Sequence, residues 1–437
     1  MISDVVSYSI QAMKNYRLSP AELKQLQTRK LRQMVRYCYN YVPLYRGWFR
    51  ERGLTPEDIR ETKDLRLLPT LSRENLSSSA SVVVPNARVG IVKSSSGTTG
   101  KPLKIFWSPD FIHMMTGLVF RKTWMMGVRP WHTVANIWTG SSWEPIINYG
   151  TARKGLVYTY KLLFGSISLW ILAFNQNDLF VSKDNWKTIA SALNYIQPDV
   201  IQTRPSHARR LGQILRESGQ RVNPKLLMAQ GEFMSLSTRS DIASLYNCDV
   251  FDNYGSTEFG ALGFECPKHS GIHLDADCFI FEVERDGEPI SPGESGEMII
   301  SSLHNDAMPL LRYEQGDRVT LEEEGRCSCG SYLPRLRAIH GRLSDGLRTT
   351  DGENIPSSVI CDQLERVFGI RGYQLIQKSS DRITMKLLCT YNTKQTADSV
   401  ARYMIELLGG SPTVELEEWS EDDMPAKYRP VISEINQ

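Results

Sequence analysis

The chain lacks any run of about 20 apolar residues, the length a helix needs to cross a bilayer. Its most apolar stretch, LLFGSISLWILAFNQ from Leu162, is broken by a glycine and by hydroxyl and amide side chains, so no membrane span is expected and the stretch reads as buried core. A concentrated basic face is also missing. The 51 lysines and arginines are interspersed with 49 aspartates and glutamates, for a net charge of +2, and nucleic acid is not an expected partner. The opening residues MISDVVSYSIQAMKN carry neither the basic nor the apolar segment of a secretory signal, which points to the cytoplasm. Eight cysteines in a long chain without such a signal read as thiols or metal ligands and not as a disulfide framework. Internal repeats and low-complexity tracts are absent as well.

What is present is a globular composition, with 41% hydrophobic and 23% charged residues, which excludes extensive disorder. A length of 437 residues suggests two or three domains. Leu23, Leu26, Leu31, Met34 and Val35 recur at helical intervals until Pro43, so a helical cap is expected over about residues 1–75. Apolar runs VVVP, HTVANIW, PDVIQT, KLLMAQG and CDVFDNYG then alternate with the helical patterns SHARRLGQILRESG and LSTRSDIASLY. That alternation predicts an α/β fold with a mixed or parallel sheet and functional loops at strand ends. Residues 278–320 turn to alternating residues with Gly/Pro turns, the pattern of antiparallel hairpins, and predict a smaller β module over about 262–340. Beyond Gly341, Ser344 and Gly346 the chain offers a helix, two strands and a second helix, a compact α+β unit.

Three polar segments carry chemistry. KSSSGTTGKPL, residues 93–103, has glycines that allow a tight turn and backbone N–H groups free to face an anion, with hydroxyl donors around them. It reads either as a phosphate cradle or as a Ser/Gly connector. Gly97 and Gly100 stand too close together, and Pro102 follows Lys101, for the P-loop pattern G-x-x-x-x-G-K-[ST]. FDNYGSTEFG, residues 251–260, puts an aromatic ring, a glycine, hydroxyls and a carboxylate at a strand end, where Glu258 suits magnesium. LLRYEQGDR presents Asp317 after a glycine turn, a carboxylate able to accept both hydroxyls of a ribose.

In this order and spacing the segments resemble the adenylate-forming superfamily, over nearly the whole chain. SSSGTTGKP looks like its phosphate loop, YGSTE its adenine and magnesium motif, YEQGD its ribose motif, GRLSDGLRTTDGENIPSSVI its hinge, and MPAKYRPVI the segment of its catalytic lysine. VRYCYNYVPLYR, TRPSHARRL and the cysteine pattern look most like the phenylacetate:CoA ligase branch, which includes relatives associated with capsular polysaccharide synthesis. The resemblance implies a large N-terminal adenylation domain, residues 1–342, of layered mixed α/β sheets with the small β module, and a small mobile α+β C-terminal domain, residues 343–437. It implies ATP-dependent activation of a small carboxylic acid as an acyl-adenylate, with transfer to CoA or to an amine acceptor, either as a monomer or as a homodimer. A non-catalytic zinc-stapled binding protein is the reading of another class.

By the same resemblance, Lys427 contacts the acid and the α-phosphate, Thr257 the α-phosphate, and Glu258 the magnesium. ATP binding is carried by Ser94, Ser95, Ser96, Gly97, Thr98, Thr99, Gly100, Lys101, Gly231, Glu232, Asn253, Tyr254, Gly255, Ser256, Asp317 and Arg342. Two positions depart from the family pattern: Ala426 stands where a glycine usually precedes the lysine, and Ser344 replaces one of two adjacent hinge acids, leaving Asp345 as pivot. Trp138, Gly140, Ser141, Trp143, Gln230 and Phe233 are candidates for the acid pocket, since aromatic walls with small residues suit an apolar acyl group. The two tryptophans read equally as core residues.

Cys266 in ECPKHSGIH and the pair Cys327 and Cys329 in CSCG fit a Cys₃His zinc site, because two thiols one residue apart at a glycine turn can grip one tetrahedral ion. His269 offers the C-x₂-H spacing; His273 is favoured because it opens HLDAD in the Gly-x-His pattern associated with this branch. Four protein ligands leave no open position, so the zinc is expected to be structural.

Overall fold

The computed structural model describes residues 2–78, 82–94, 103–139, 157–161, 168–174, 183–342, 345–365, 367, 370–389, 393–409, 413–419 and 428–435. Ser95 to Lys101, Gly140, Ser141, Trp143, Ser344, Lys427 and the side chain of Trp138 lie outside the described residues. The chain forms two compact units, Met1–Gly127 with Asn253–Ala338, and Val128–Asp252 with Ile339–Gln437. Among the described residues no helix is long and apolar enough to cross a membrane.

The first unit begins with helices Ile2–Asn15, Pro20–Tyr41 and Pro43–Glu51. The second starts where Ser19 and Glu22 form a reciprocal capping box ahead of a proline in the first turn, which satisfies orphan N–H groups at the helix end. Its apolar stripe, Leu23, Leu31, Met34, Val35 and Cys38, is buried. Pro43 ends that helix and opens the next, because its fixed φ and missing N–H are tolerated only in a first turn. Tyr45, Phe49, Ile59, Leu65 and Leu68 continue the same core onto Ile280, Leu303 and Leu311.

The hairpins expected from residue 278 onward are present. Phe279–Arg285, Ser295–Ser302 and Tyr313–Leu321 pair antiparallel, with Phe281 opposite Ile300 and Ile300 opposite Tyr313. Ile272–Leu274 pairs with both Gly260–Glu265 and Arg335–Arg342. VVVP is a correction, since it forms no strand. Val82 and Val84 are buried, and the Val84 N–H donates to the Ala307 carbonyl at 3.1 Å, so the run packs as an irregular segment over the core.

In the second unit, strands Thr133–Thr139, Val200–Thr203 and Leu226–Gln230 run parallel in a register that sets Val134 beside Val200 and Val200 beside Leu226. Ser168–Phe174, the heart of the most apolar run, adds a further parallel strand beside Thr133–Thr139. Helices Lys183–Ile196, Pro205–Glu217 and Leu236–Tyr246 bury Trp186, Leu193, Leu211, Ile242 and Tyr246 with strand residues Ala135, Ile201 and Leu227. The C-terminal part holds helices Ser357–Leu364 and Thr393–Leu408 and a four-stranded sheet in the order 413–418, 382–389, 370–379, 431–433. The short last strand runs parallel to Ile370–Ser379, with Val431 beside Leu375.

Candidate functional site

The strand Asp249–Ser256, whose residues from Asn253 onward belong to the first unit, runs into a turn at 257–259 and returns as Gly260–Glu265. The chain passes so close to itself there that a Cβ on Gly255 would stand 2.4 Å from the Gly260 carbonyl oxygen, and only glycine fits. This pinch presents Tyr254 to the ribose motif. The Tyr254 hydroxyl donates to Asp317 Oδ2 at 2.7 Å. Asn253 is buried, and both atoms of its amide have no hydrogen-bond partner among the described residues. A buried amide is expensive to leave unsatisfied, and the edge of a purine offers the donor and acceptor it needs.

Glu258 is buried. It accepts a hydrogen bond from the Tyr313 hydroxyl at 3.3 Å and lies 3.7 Å from the Arg73 guanidinium, while its own carbonyl accepts from the Trp107 indole at 3.3 Å. Thr257 and Ser256 are half-buried beside it. The Ser256 hydroxyl is turned to the Phe259 N–H at 3.2 Å. Strands Ile91–Ser94 and Lys104–Trp107 pair antiparallel, Ser94 opposite Lys104, and bracket the phosphate-loop sequence. The Lys93 ammonium sits 3.6 Å above the Trp107 ring, and burial lowers its pKa to about 8. The motif reading missed Arg73, Lys93 and Trp107. Lys93, next to the hydroxyl run, was the one with a visible signal.

In the second unit Gly231 adopts φ +82 and swings the chain off the strand Leu226–Gln230. Glu232 follows, and its two oxygens accept from the Ser206 N–H at 3.2 Å and the Tyr428 N–H at 3.0 Å. Phe233 packs against the core of the C-terminal part. Gln230 is half-buried at the strand end. Arg342 is exposed at the end of its strand, and Asp345 pairs with the Arg429 guanidinium.

The cysteine pattern closes in space. Cys266, His273, Cys327 and Cys329 bring one ligand atom each to within 4.8 Å of one another. Cys266 Sγ and Cys327 Sγ are 3.9 Å apart, and Cys329 Sγ is 3.4 Å from His273 Nε2. Thiolates about 2.3 Å from a tetrahedral zinc stand about 3.8 Å from each other, so the donor set and its spacing fit that ion. Burial raises the Cys266 thiol to about 11. It also acts to raise Cys327, but the Cys329 N–H, the Ser270 hydroxyl and the neighbouring thiols outweigh it and bring that thiol to about 7. Burial and then Arg335 lower His273 to about 4, the neutral form a metal requires. His269 is outside the cluster, at φ +47 and 3.3 Å from Glu265. Nothing in the sequence marked Tyr16, whose hydroxyl lies 2.8 Å from Cys329 Sγ.

No protein-family profile matches the chain. Over 341 residues it is 28% identical to a phenylacetate–coenzyme A ligase of Thermus thermophilus, an alignment covering 75% of the chain and 72% of the relative. It is 21% identical to the protein CapK of Staphylococcus aureus, over 76% of the chain and 70% of that relative. A crystal structure of 2-hydroxyisobutyryl-CoA ligase in its post-adenylation state superposes with a TM-score of 0.79 at 19% identity, covering 96% of the chain and 91% of the ligase. The chain has the fold of the adenylate-forming ligases. Within that fold its sequence relatives include phenylacetate–coenzyme A ligases and the protein CapK, as its motifs imply.

Proposed function

We propose that this adenylate-forming ligase activates a small carboxylic acid with ATP and passes the acyl group to CoA. The observation that carries the reading is the Tyr254–Asp317 hydrogen bond of 2.7 Å, which joins the adenine and ribose motifs beside the buried amide of Asn253, without a partner among the described residues. In the first step a carboxylate oxygen attacks the α-phosphorus and pyrophosphate leaves. In the second the CoA sulfur attacks the acyl carbon, its proton passes to solvent and AMP leaves. Charge accumulates in the first step between an anionic acid and a polyanionic nucleotide, so preorganised cations and N–H donors lower the barrier.

Lys427 is the cation we assign to the reacting oxygens, with Thr257 at the α-phosphate, Asp317 on the ribose and the loop 94–101 on the pyrophosphate. Glu258, braced by Arg73 and Tyr313, would hold magnesium, which would supply positive charge to offset that of the phosphates. Residues 1–342 and 343–437 act as the large and small domains, hinged at Ser344 and Asp345. Cys266, His273, Cys327 and Cys329 hold a structural zinc. ATP and CoA are intracellular substrates, which agrees with a cytoplasmic enzyme.

Acid-dependent ATP–pyrophosphate exchange across a panel of aryl, arylacetic and short hydroxy acids tests the reading. At least one acid is expected to support exchange and, with CoA, to give a thioester by mass spectrometry. A flat panel would overturn the proposal, and an amide in place of the thioester when amines are supplied would reassign the acceptor.

A further inference from the structure

Two carboxylates that are not neighbours in sequence tie the C-terminal part of the chain to helix starts elsewhere in the second unit. Glu365 follows the helix Ser357–Leu364 as its C-cap. It accepts hydrogen bonds from the Ser235 hydroxyl, from Thr238 Oγ1 at 3.2 Å and from the Tyr373 hydroxyl at 3.4 Å. Ser235 is itself the N-cap of helix Leu236–Tyr246, accepting from the Thr238 N–H at 3.0 Å. The carboxylate therefore sits at the start of an 11-residue helix, where burial raises its pKa while the hydroxyls and the helix dipole work to keep its charge.

Glu232 makes the second tie, from the N–H of Ser206 in the first turn of helix Pro205–Glu217 to the N–H of Tyr428. Tyr428 follows Lys427 in sequence. Its hydroxyl donates to the Tyr373 carbonyl, Arg429 pairs with Asp345, and the Pro430 carbonyl accepts from the Leu375 N–H at 2.8 Å. Residues 428–430 are thus held at every position, and the only one of these ties that leaves the C-terminal part of the chain is the one to Glu232.

We propose that Glu365 and Glu232 are positioning residues for adenylation: together they dock the C-terminal part on two helix N-termini and fix the chain immediately after Lys427. The proposal rests on the adenylation reading above. Glu365 touches no reacting atom. Its effect is expected on the first half-reaction, the step to which Lys427 is assigned, and not on transfer to CoA. Glu232 combines this role with its candidate place beside the nucleotide, so Glu365 is the cleaner residue to change.

The test compares the full chain with Glu365→Ala, Glu365→Gln and Ser235→Ala. Removing a charge-assisted contact is expected to lower kcat for ATP–pyrophosphate exchange about tenfold in Glu365→Ala. The KM for ATP and thioester formation from a synthetic acyl-adenylate with CoA stay within about twofold, with Glu365→Gln and Ser235→Ala intermediate. Hydrogen exchange of the 428–435 peptide quickens in step. Equal loss in both half-reactions, or unchanged hydrogen exchange in all three variants, overturns the docking role. A wild-type chain without acid-dependent exchange overturns the adenylation reading instead, and the 428–435 peptide then still decides whether Glu365 docks the segment.

Discussion

The metal cluster and the nucleotide motifs are built on opposite plans. The four cluster residues all lie in the first unit, within 4.8 Å at their ligand atoms, on a strand and two turns that the fold must form anyway. The nucleotide motifs are divided. Asn253 to Glu258 and Asp317 belong to one unit, Gly231, Glu232 and Arg342 to the other. A contained cluster is a property of one folded unit. The nucleotide motif residues come from distant stretches of sequence, and each is shaped by the unit that holds it.

The sharpest way to break the contained site is to remove a ligand. The wild-type chain is expected to carry about one zinc, and Cys266→Ala none, by elemental analysis. Because structural zinc binding is worth about 10–16 kcal/mol in small domains, the first unit should melt far earlier; full stability without metal would overturn the zinc assignment. For the nucleotide motifs the largest effect belongs to Lys427→Ala, which should lose about 3–4 kcal/mol of transition-state stabilisation. That is a fall of several hundredfold in pyrophosphate exchange with ATP binding kept, and an unchanged rate would move the catalytic cation elsewhere. Tyr254→Phe deletes the bond to Asp317 and should weaken ATP binding by about 1–2 kcal/mol, read by titration calorimetry, while leaving the zinc content intact.

The smallest effect concerns pH. Burial, reinforced by the charge of Glu284 and opposed by Arg312 and Arg66, raises Glu282 from 4.5 to about 7. The folded chain therefore keeps a proton there that the unfolded chain has lost. The stability this contributes is complete below pH 4.5 and is lost as pH rises toward 7. Glu282→Gln should flatten the melting temperature of the first unit across that window, and a parallel profile in the variant would sink the assignment.

Much of this was legible in the residues themselves. The helix stripe from Leu23, the parallel strands, the hairpins after 278 and the Cys-x-Cys turn each follow from period, capping or turn chemistry local to a few residues. Illegible features are those decided by partners distant in the chain. Arg73 reaches Glu258, Tyr16 reaches Cys329, and Arg121 is buried against Asp275 and Asp277 at 2.5 and 2.9 Å, none announced by spacing. VVVP reads as a strand from composition, yet burial under irregular backbone serves it equally well. The histidine choice was legible in pattern but not in spacing, since the favoured His273 is the one in the cluster. His269 has the familiar spacing, but its left-handed backbone turns it toward Glu265, and the strand Ile272–Leu274 delivers His273 instead.

The buried amide of Asn253, without a hydrogen-bond partner among the described residues, also has a consequence for selectivity. A buried amide matched by both a donor and an acceptor is favoured by about 1–3 kcal/mol over one left half-matched, so a base that offers both is the expected ligand there. If Asn253 reads the purine edge, in thermal-shift titrations ATP should raise the melting temperature more than GTP at equal concentration, and Asn253→Leu should erase the difference. Selectivity of that kind would come from an amide that the fold already buries.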